Sequence, residues 1–389
     1  MCFLLLLIVI IIIIALVVYF KKEKFTSEPY WSSLYITNNP DASDYKLFDY
    51  LQKLKMNNSN PIWNGIFTNQ NSRDLFVSPK TNPIFIVPGI GSIPIYEGSK
   101  QVWPSDLETF DKKNMVVPEF GIVNTLYMND LITALKAIGY SHHNIFQASY
   151  NFIDIEGTIV KWCENFKNLI EKQCSLQGFP AIIIGHDLGS ILANFFLVSM
   201  CPKWKDTYIK SFITINGAIG GCPKAFKTYF QDSKKFDGVK LMMPDPIIYA
   251  NVPLFSINQI IYTAKDIPTF VEMSPILKRI KESSMKAPGV VVHILAGTGL
   301  NTQSSYHYST SLNDVPDINE PFYSDSQTSL KDYFLGDNTM PKPALEFPIY
   351  WTKMQNKHVY YRFFVNAGHV DILSRYEPIK YVVDAIKKY

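Results

Sequence analysis

Cysteine is scarce in this chain, and what there is lacks a pattern. Cys2, Cys163, Cys174, Cys201 and Cys222 are the five among 389 residues. None forms a Cys-x-x-Cys pair or sits at metal-ligand spacing, so the sequence implies no metal, and a disulfide framework is not indicated. Excess charge of either sign is also missing. The 37 Lys and Arg nearly balance the 34 Asp and Glu, leaving +3, and without a basic run the chain does not read as a nucleic-acid binder. No internal repeat appears, and no low-complexity tract beyond the first twenty residues. Nothing in the sequence implies a cofactor.

What is present begins with those twenty residues. Met1 to Phe20 are almost wholly apolar and are followed by Lys21-Lys22-Glu23-Lys24. A bilayer-crossing helix needs about 20 such residues. A cleaved signal peptide normally has a basic start, a shorter apolar stretch and a small-residue cleavage site, and none of these is found. The expectation is an uncleaved single-pass anchor. Its orientation stays open, because lysines after the span favour a cytoplasmic domain. The sequon Asn57-Asn58-Ser59 would be used only in the lumen or outside the cell.

Residues 21–82 read as a stalk and lead-in, rich in Asn, Ser and Pro. From residue 83 to the end the chain alternates strand-like and helix-like blocks. Ile84 to Val87 is a short continuous apolar run, as in a strand buried on both faces. Met128 to Ile138 reads as a helix ended by Gly139. Ile159, Trp162, Cys163, Phe166, Leu169 and Ile170 recur at helical spacing. Further strands are expected at Ala181–Ile184, Phe212–Ile215, Val290–Leu295 and Tyr360–Val365, with helices from Leu188 to about Met200 and from Pro378 to Lys387. Such alternation implies a mostly parallel sheet covered by helices. The stretch from about 223 to 288, rich in Phe, Tyr, Ile, Met and Pro, is expected to form a cap. Its apolar residues suit a lipid pocket and ordinary cap core equally.

The chemistry concentrates at Pro180 to Ser190, an apolar strand leading into Gly185-His186-Asp187-Leu188-Gly189 and then a helix. This is the Gly-x-nucleophile-x-Gly elbow of the α/β-hydrolase fold, with Asp187 where a serine is usual. In that fold the chain order is nucleophile, acid, histidine. Asp187, Asp337 in Leu335-Gly336-Asp337-Asn338-Thr339, and His369 in Asn366-Ala367-Gly368-His369 follow that order. Backbone amides for an oxyanion hole are expected from Leu188, at the helix start, and from the Pro88-Gly89-Ile90-Gly91 turn.

Several ordered segments resemble the lecithin–cholesterol acyltransferase family, which includes lysosomal-type phospholipases. Ile86-Val87-Pro88-Gly89 resembles its oxyanion strand and turn. Trp204-Lys205-Asp206 and the run from Ile209 to Gly221 resemble its block ending in Gly-Ala-Pro-x-Gly-Gly. Tyr262 to Asp266, Ala287 to Val290, Gly297 to Leu300 and Gly336-Asp337-Asn338-Thr339 are similar to further blocks, over roughly residues 83 to 385. The resemblance implies an α/β-hydrolase core with cap and lid, a phospholipid O-acyltransferase or phospholipase activity on a phospholipid or other lipid ester, contact with a membrane, and a lumenal or extracellular domain. It implies Asp337 as the orienting acid, His369 as the base, and Ile90 and Leu188 as oxyanion amides. Departures are the short stretch between Gly91 and Phe120, Tyr150-Asn151-Phe152 in place of Tyr-Asp-Trp, and Ile219 in place of proline.

The aspartate leaves three readings open. Carboxylate attack on an ester yields a mixed anhydride and expels an alkoxide, so acyl transfer is crippled and the chain is a lipid-binding pseudoenzyme. Alternatively, Asp187 attacks carbon, as in α/β-fold epoxide hydrolases, with Tyr229, Tyr249 and Tyr262 as candidate donors from the cap. In the third reading Ser190 substitutes as nucleophile, against the simpler expectation of a helix-surface or capping role. If the three groups meet, two carboxylates face His369 and make it harder to deprotonate than with serine at 187.

Overall fold

The computed structural model describes residues 81–93, 95–97, 100–103, 115–117, 120–121, 127–230, 235–303, 305–317 and 335–388, with Tyr50 and Lys53. Among the described residues no helix is long and apolar enough to cross a membrane. The anchor expected at residues 1–20, nearly all of the 21–82 lead-in and the sequon at Asn57 lie outside them.

A six-stranded parallel sheet forms the centre: β1 (Ile84–Val87), β2 (Ile145–Gln147), β3 (Ala181–His186), β4 (Ile209–Ile215), β5 (Val291–Thr298) and β6 (Val359–Val365), in the order β6-β5-β4-β3-β1-β2. These strands are short apolar runs because both faces are covered. Phe85, Val87, Ile183 and Phe212 enter the larger core, while Ile84, Ile86, Ile182, Ile184, Ile213 and Ile215 enter the other. Two long helices, α1 (Ile155–Gln177) and α2 (Leu188–Ser199), fill the first face. Trp162, Phe166 and Ile170 of α1 and Phe196 of α2 are buried there. The second face is covered by the helices Asn129–Ala137 and Tyr376–Lys388, which touch each other.

The chain runs from β1 outward to β2 and then returns past β1 to β3. That reversal opens a crevice at the carboxyl ends of β1 and β3, where open α/β sheets bind ligands. In register, Val87 lies beside Gly185, and His186 beside Ile215. The turns that follow β1, β3 and β4 therefore leave the sheet from nearly one level.

Between β4 and β5 the chain leaves the sheet. It forms the helices Pro223–Phe230, Asp237–Leu241 and Pro246–Tyr249 and a hairpin of Pro253–Ile257 with Ile260–Thr263. The hairpin's inner strand also pairs with Tyr306–Tyr308, beyond the sequence-defined insertion. The helix Pro275–Ser284 then packs along α2. Rings fill this layer: Phe226 stacks on Phe255 at 4.1 Å and Phe255 on Tyr262 at 5.0 Å. Cys163, Cys174, Cys201 and Cys222 are free thiols.

Candidate active site

The elbow residue pays for its position in backbone strain. Asp187 adopts φ 52° and ψ −127° between β3 and α2, a region that non-glycine residues visit only when the surroundings compel it. The compulsion is close packing. A Cβ on Gly189 would stand 2.1 Å from the Val87 carbonyl oxygen, and one on Gly185 would stand 2.8 Å from Ser190 Cα. Only glycine lets the start of α2 press against the end of β1, and the turn between them lifts the Asp187 side chain into the crevice.

The structure brings Asp187, Asp337 and His369 together from three distant parts of the chain. His369 Nδ1 lies 2.7 Å from Asp337 Oδ2, and Nε2 lies 3.4 Å from Asp187 Oδ1. Asp337 is wholly buried. Its Oδ1 accepts the amides of Thr339 at 2.8 Å and Met340 at 2.6 Å, which fixes the face it turns to the imidazole. Ile90 and Leu188 are where the oxyanion reading puts them, but their amides are engaged. The Ile90 N–H donates to Asp187 Oδ2 at 3.2 Å, and the Leu188 N–H also donates to this carboxylate. The Asp187 carboxylate itself takes up the amides expected to serve an oxyanion.

Charge follows geometry. Burial disfavours the His369 cation, yet the charge of Asp337 and the hydrogen bonds and charge of Asp187 and Asp337 outweigh it, and the imidazole is pushed up from its ordinary 6.5 to about 10. Burial likewise works against the Asp187 anion, but hydrogen bonding and attraction from His369 win, holding the carboxyl below its usual range. The resting site is thus an imidazolium between two carboxylates. His186 behaves oppositely: burial first, then the His369 charge, lowers it to about 4, so it is neutral.

A cavity of about 380 Å³ opens over these groups, within the range of small-molecule sites. Asp187, His369, Gly89 and Ile90 form its floor. Phe236, Val239, Met242 and Met340 make apolar walls, with Tyr127, Lys224, Thr228 and Val370 also lining it. Among the described residues no group of His, Cys, Asp and Glu is arranged to hold a metal.

The family model described as "Lecithin:cholesterol acyltransferase" matches residues 111–243, which include the elbow. These matches support a relationship of the chain to the lecithin:cholesterol acyltransferase family. Over 283 residues it is 22% identical to "Lysosomal phospholipase A and acyltransferase" of Homo sapiens, covering 66% of this chain and 65% of that protein. Over 287 residues it is 23% identical to "Phosphatidylcholine-sterol acyltransferase" of Mus musculus, covering 66% and 62%. The chain thus spans just under two thirds of the length of these relatives. Among solved structures, a 2-hydroxy-6-oxo-6-phenylhexa-2,4-dienoate hydrolase from a Rhodococcus strain covers 80% of this chain and 92% of its own, at 13% identity and a TM-score of 0.35.

Two expectations fail. Ser190 is neither a helix-surface nor a capping residue. It is completely buried and its Oγ accepts from Thr214 Oγ1 at 2.9 Å, because the first turn of α2 rests on β4 rather than on solvent. The cap tyrosines do not line the cavity either. Tyr249 is buried with its hydroxyl donating to the Gly221 carbonyl at 2.8 Å, and Tyr262 is taken up in the ring stack. Tyr229 is buried in the larger core. The tyrosine at the cavity is Tyr127.

Other residues of the site escaped sequence reasoning. Asn216, at φ 44°, accepts the Gly297 N–H on Oδ1 at 2.7 Å and donates from Nδ2 to the His369 carbonyl at 3.1 Å. His186 Nε2 donates to the same carbonyl at 2.9 Å. Together they pin the histidine loop to the ends of β3, β4 and β5. Tyr150 donates to the Pro88 carbonyl at 2.8 Å and steadies the Ile90 turn. The one signal available was position: His186 and Asn216 each stand at a strand's carboxyl end.

Proposed function

We propose that this chain is a lipid-binding member of its family in which Asp187 has closed the acyl-transfer route. The reading rests on one observation: the Asp187 carboxylate takes up the Ile90 and Leu188 amides and pairs with His369. An ester carbonyl arriving at this floor meets the Ile90 and Leu188 amides already engaged and a protonated base. Carboxylate attack on it would expel an alkoxide to make a mixed anhydride, an uphill exchange compared with an acyl-serine. The ligand class is a phospholipid or other lipid with an apolar chain, supported by the family and by the walls of Phe236, Val239, Met242 and Met340.

The test compares lipid-ester turnover by the native chain and by Asp187→Ser. The expected result is negligible turnover by the native chain and a gain in the variant, since serine frees the amides and lets His369 lose its proton. Robust and equal turnover by both would overturn the proposal. With this reading goes an anchor at residues 1–20 and a lumenal or extracellular domain. Glycosidase-sensitive mass on the native chain that is lost in Asn57→Gln checks the location.

A further inference from the structure

The Asp187 carboxylate that blocks an ester is arranged differently toward a saturated carbon. Its two oxygens are inequivalent. Oδ2 accepts the Ile90 amide at 3.2 Å, while Oδ1 faces His369 Nε2 at 3.4 Å, at the floor of the apolar cavity. We propose that the chain hydrolyses apolar epoxides, with Asp187 Oδ1 attacking a ring carbon and His369 serving first as acid and then as base. The inference rests on the apolar-ligand part of the function proposed above and adds a reaction to it.

The steps balance. A lone pair on Oδ1 forms the new C–O bond while the ring C–O bond breaks, and the departing oxygen takes the proton from His369 Nε2. The products are an alkyl ester on Asp187, a hydroxyl on the ligand and a neutral imidazole. No cap tyrosine is required, because the acid is the imidazolium already on the cavity floor. Esterification removes the Asp187 charge beside His369, which weakens its hold on a proton and makes it a base for the second half. His369 then takes a proton from water as the hydroxide adds to Cγ. The former Oδ2 becomes the oxyanion, and the Ile90 amide already points at it. Collapse breaks the ester C–O bond, the leaving oxygen takes the proton back from His369, and the diol departs. The resulting Asp187 acid returns its proton to His369, restoring the resting ion pair. Epoxide and water have become diol, and Asp187 now holds one oxygen from water.

The oxygen exchange supplies the test. Native protein in excess is incubated with styrene oxide, and separately with a terminal epoxide of a straight-chain alkane, in heavy-oxygen water. The Asp187 peptide is then read by mass spectrometry. The expected result is heavy oxygen or an alkyl adduct on Asp187, diol formation with at least one probe, and loss of diol in Asp187→Ala. Absence of label, adduct and diol with both probes overturns the inference. So does modification confined to Cys222 or Lys224, or undiminished diol in Asp187→Ala. Failure here leaves the lipid-ester comparison standing. Ester turnover by the native chain would sink the earlier proposal without touching this measurement.

Discussion

Asp187 meets His369 across the cavity floor, with Oδ1 3.4 Å from Nε2 and both side chains almost fully buried. In a serine enzyme the neutral base waits beside a hydroxyl. Here an ion pair occupies the same space, and its consequences can be measured.

The first is the imidazole titration. His369 should hold its proton to about pH 10 in the native chain. Asp187→Ser removes one of the two carboxylates, so the midpoint should fall while Asp337 keeps its contact. Site-specific NMR of the ring protons reads both midpoints. A midpoint that does not move would mean that Asp187 does not face the ring.

Stability should carry the same signature. A group whose pKa is raised on folding stabilises fully below its unfolded value and loses that contribution as pH rises through the folded value. For His369 the window runs from 6.5 to about 10. Thermal unfolding should therefore show Tm falling across that window in the native chain, and a shallower fall in His369→Gln. Equal slopes would contradict the assignment.

Asn216→Ala should loosen the histidine loop. The substitution strands the buried Gly297 N–H and weakens the hold on the His369 carbonyl, at a cost of about 1–3 kcal/mol. Denaturant unfolding reads the loss. On the Asp187→Ser background the same change should lower kcat more than it raises KM, because Asn216 positions the base and does not line the cavity.

Gly189→Ala tests the elbow. The added methyl would meet the Val87 carbonyl oxygen at 2.1 Å, backbone that cannot swing aside. Overpacking of this kind costs about 1–3 kcal/mol or more, so a clear drop in Tm is expected. Unchanged stability would mean that α2 does not press on β1 as described.

Much of the scaffold was legible because each strand declares itself locally. Ile84–Val87 and residues 181–184 are unbroken apolar runs, and the helix of Ile159, Trp162, Phe166 and Ile170 repeats at helical spacing and buries those side chains. Asp187, Asp337 and His369 were nameable from order and from the turns around them. Ser190 was misread because its burial depends on β4, which reaches it from Thr214, 24 residues on. The cap tyrosines were misread for a similar reason. Frequency of a residue type says nothing about which hydroxyls reach a cavity and which are spent on a carbonyl such as that of Gly221.

The sequence by itself determined the alternation of strand and helix, the sharp turn at residues 185–189 and the presence of an acid at its tip, because periodicity and glycine placement are local properties of the chain. Only the tertiary structure decided that this acid turns one oxygen to the Ile90 amide and the other to His369. Ile90 lies nearly a hundred residues before it and His369 nearly two hundred after it, and the fold alone sets their distance and the dielectric between them.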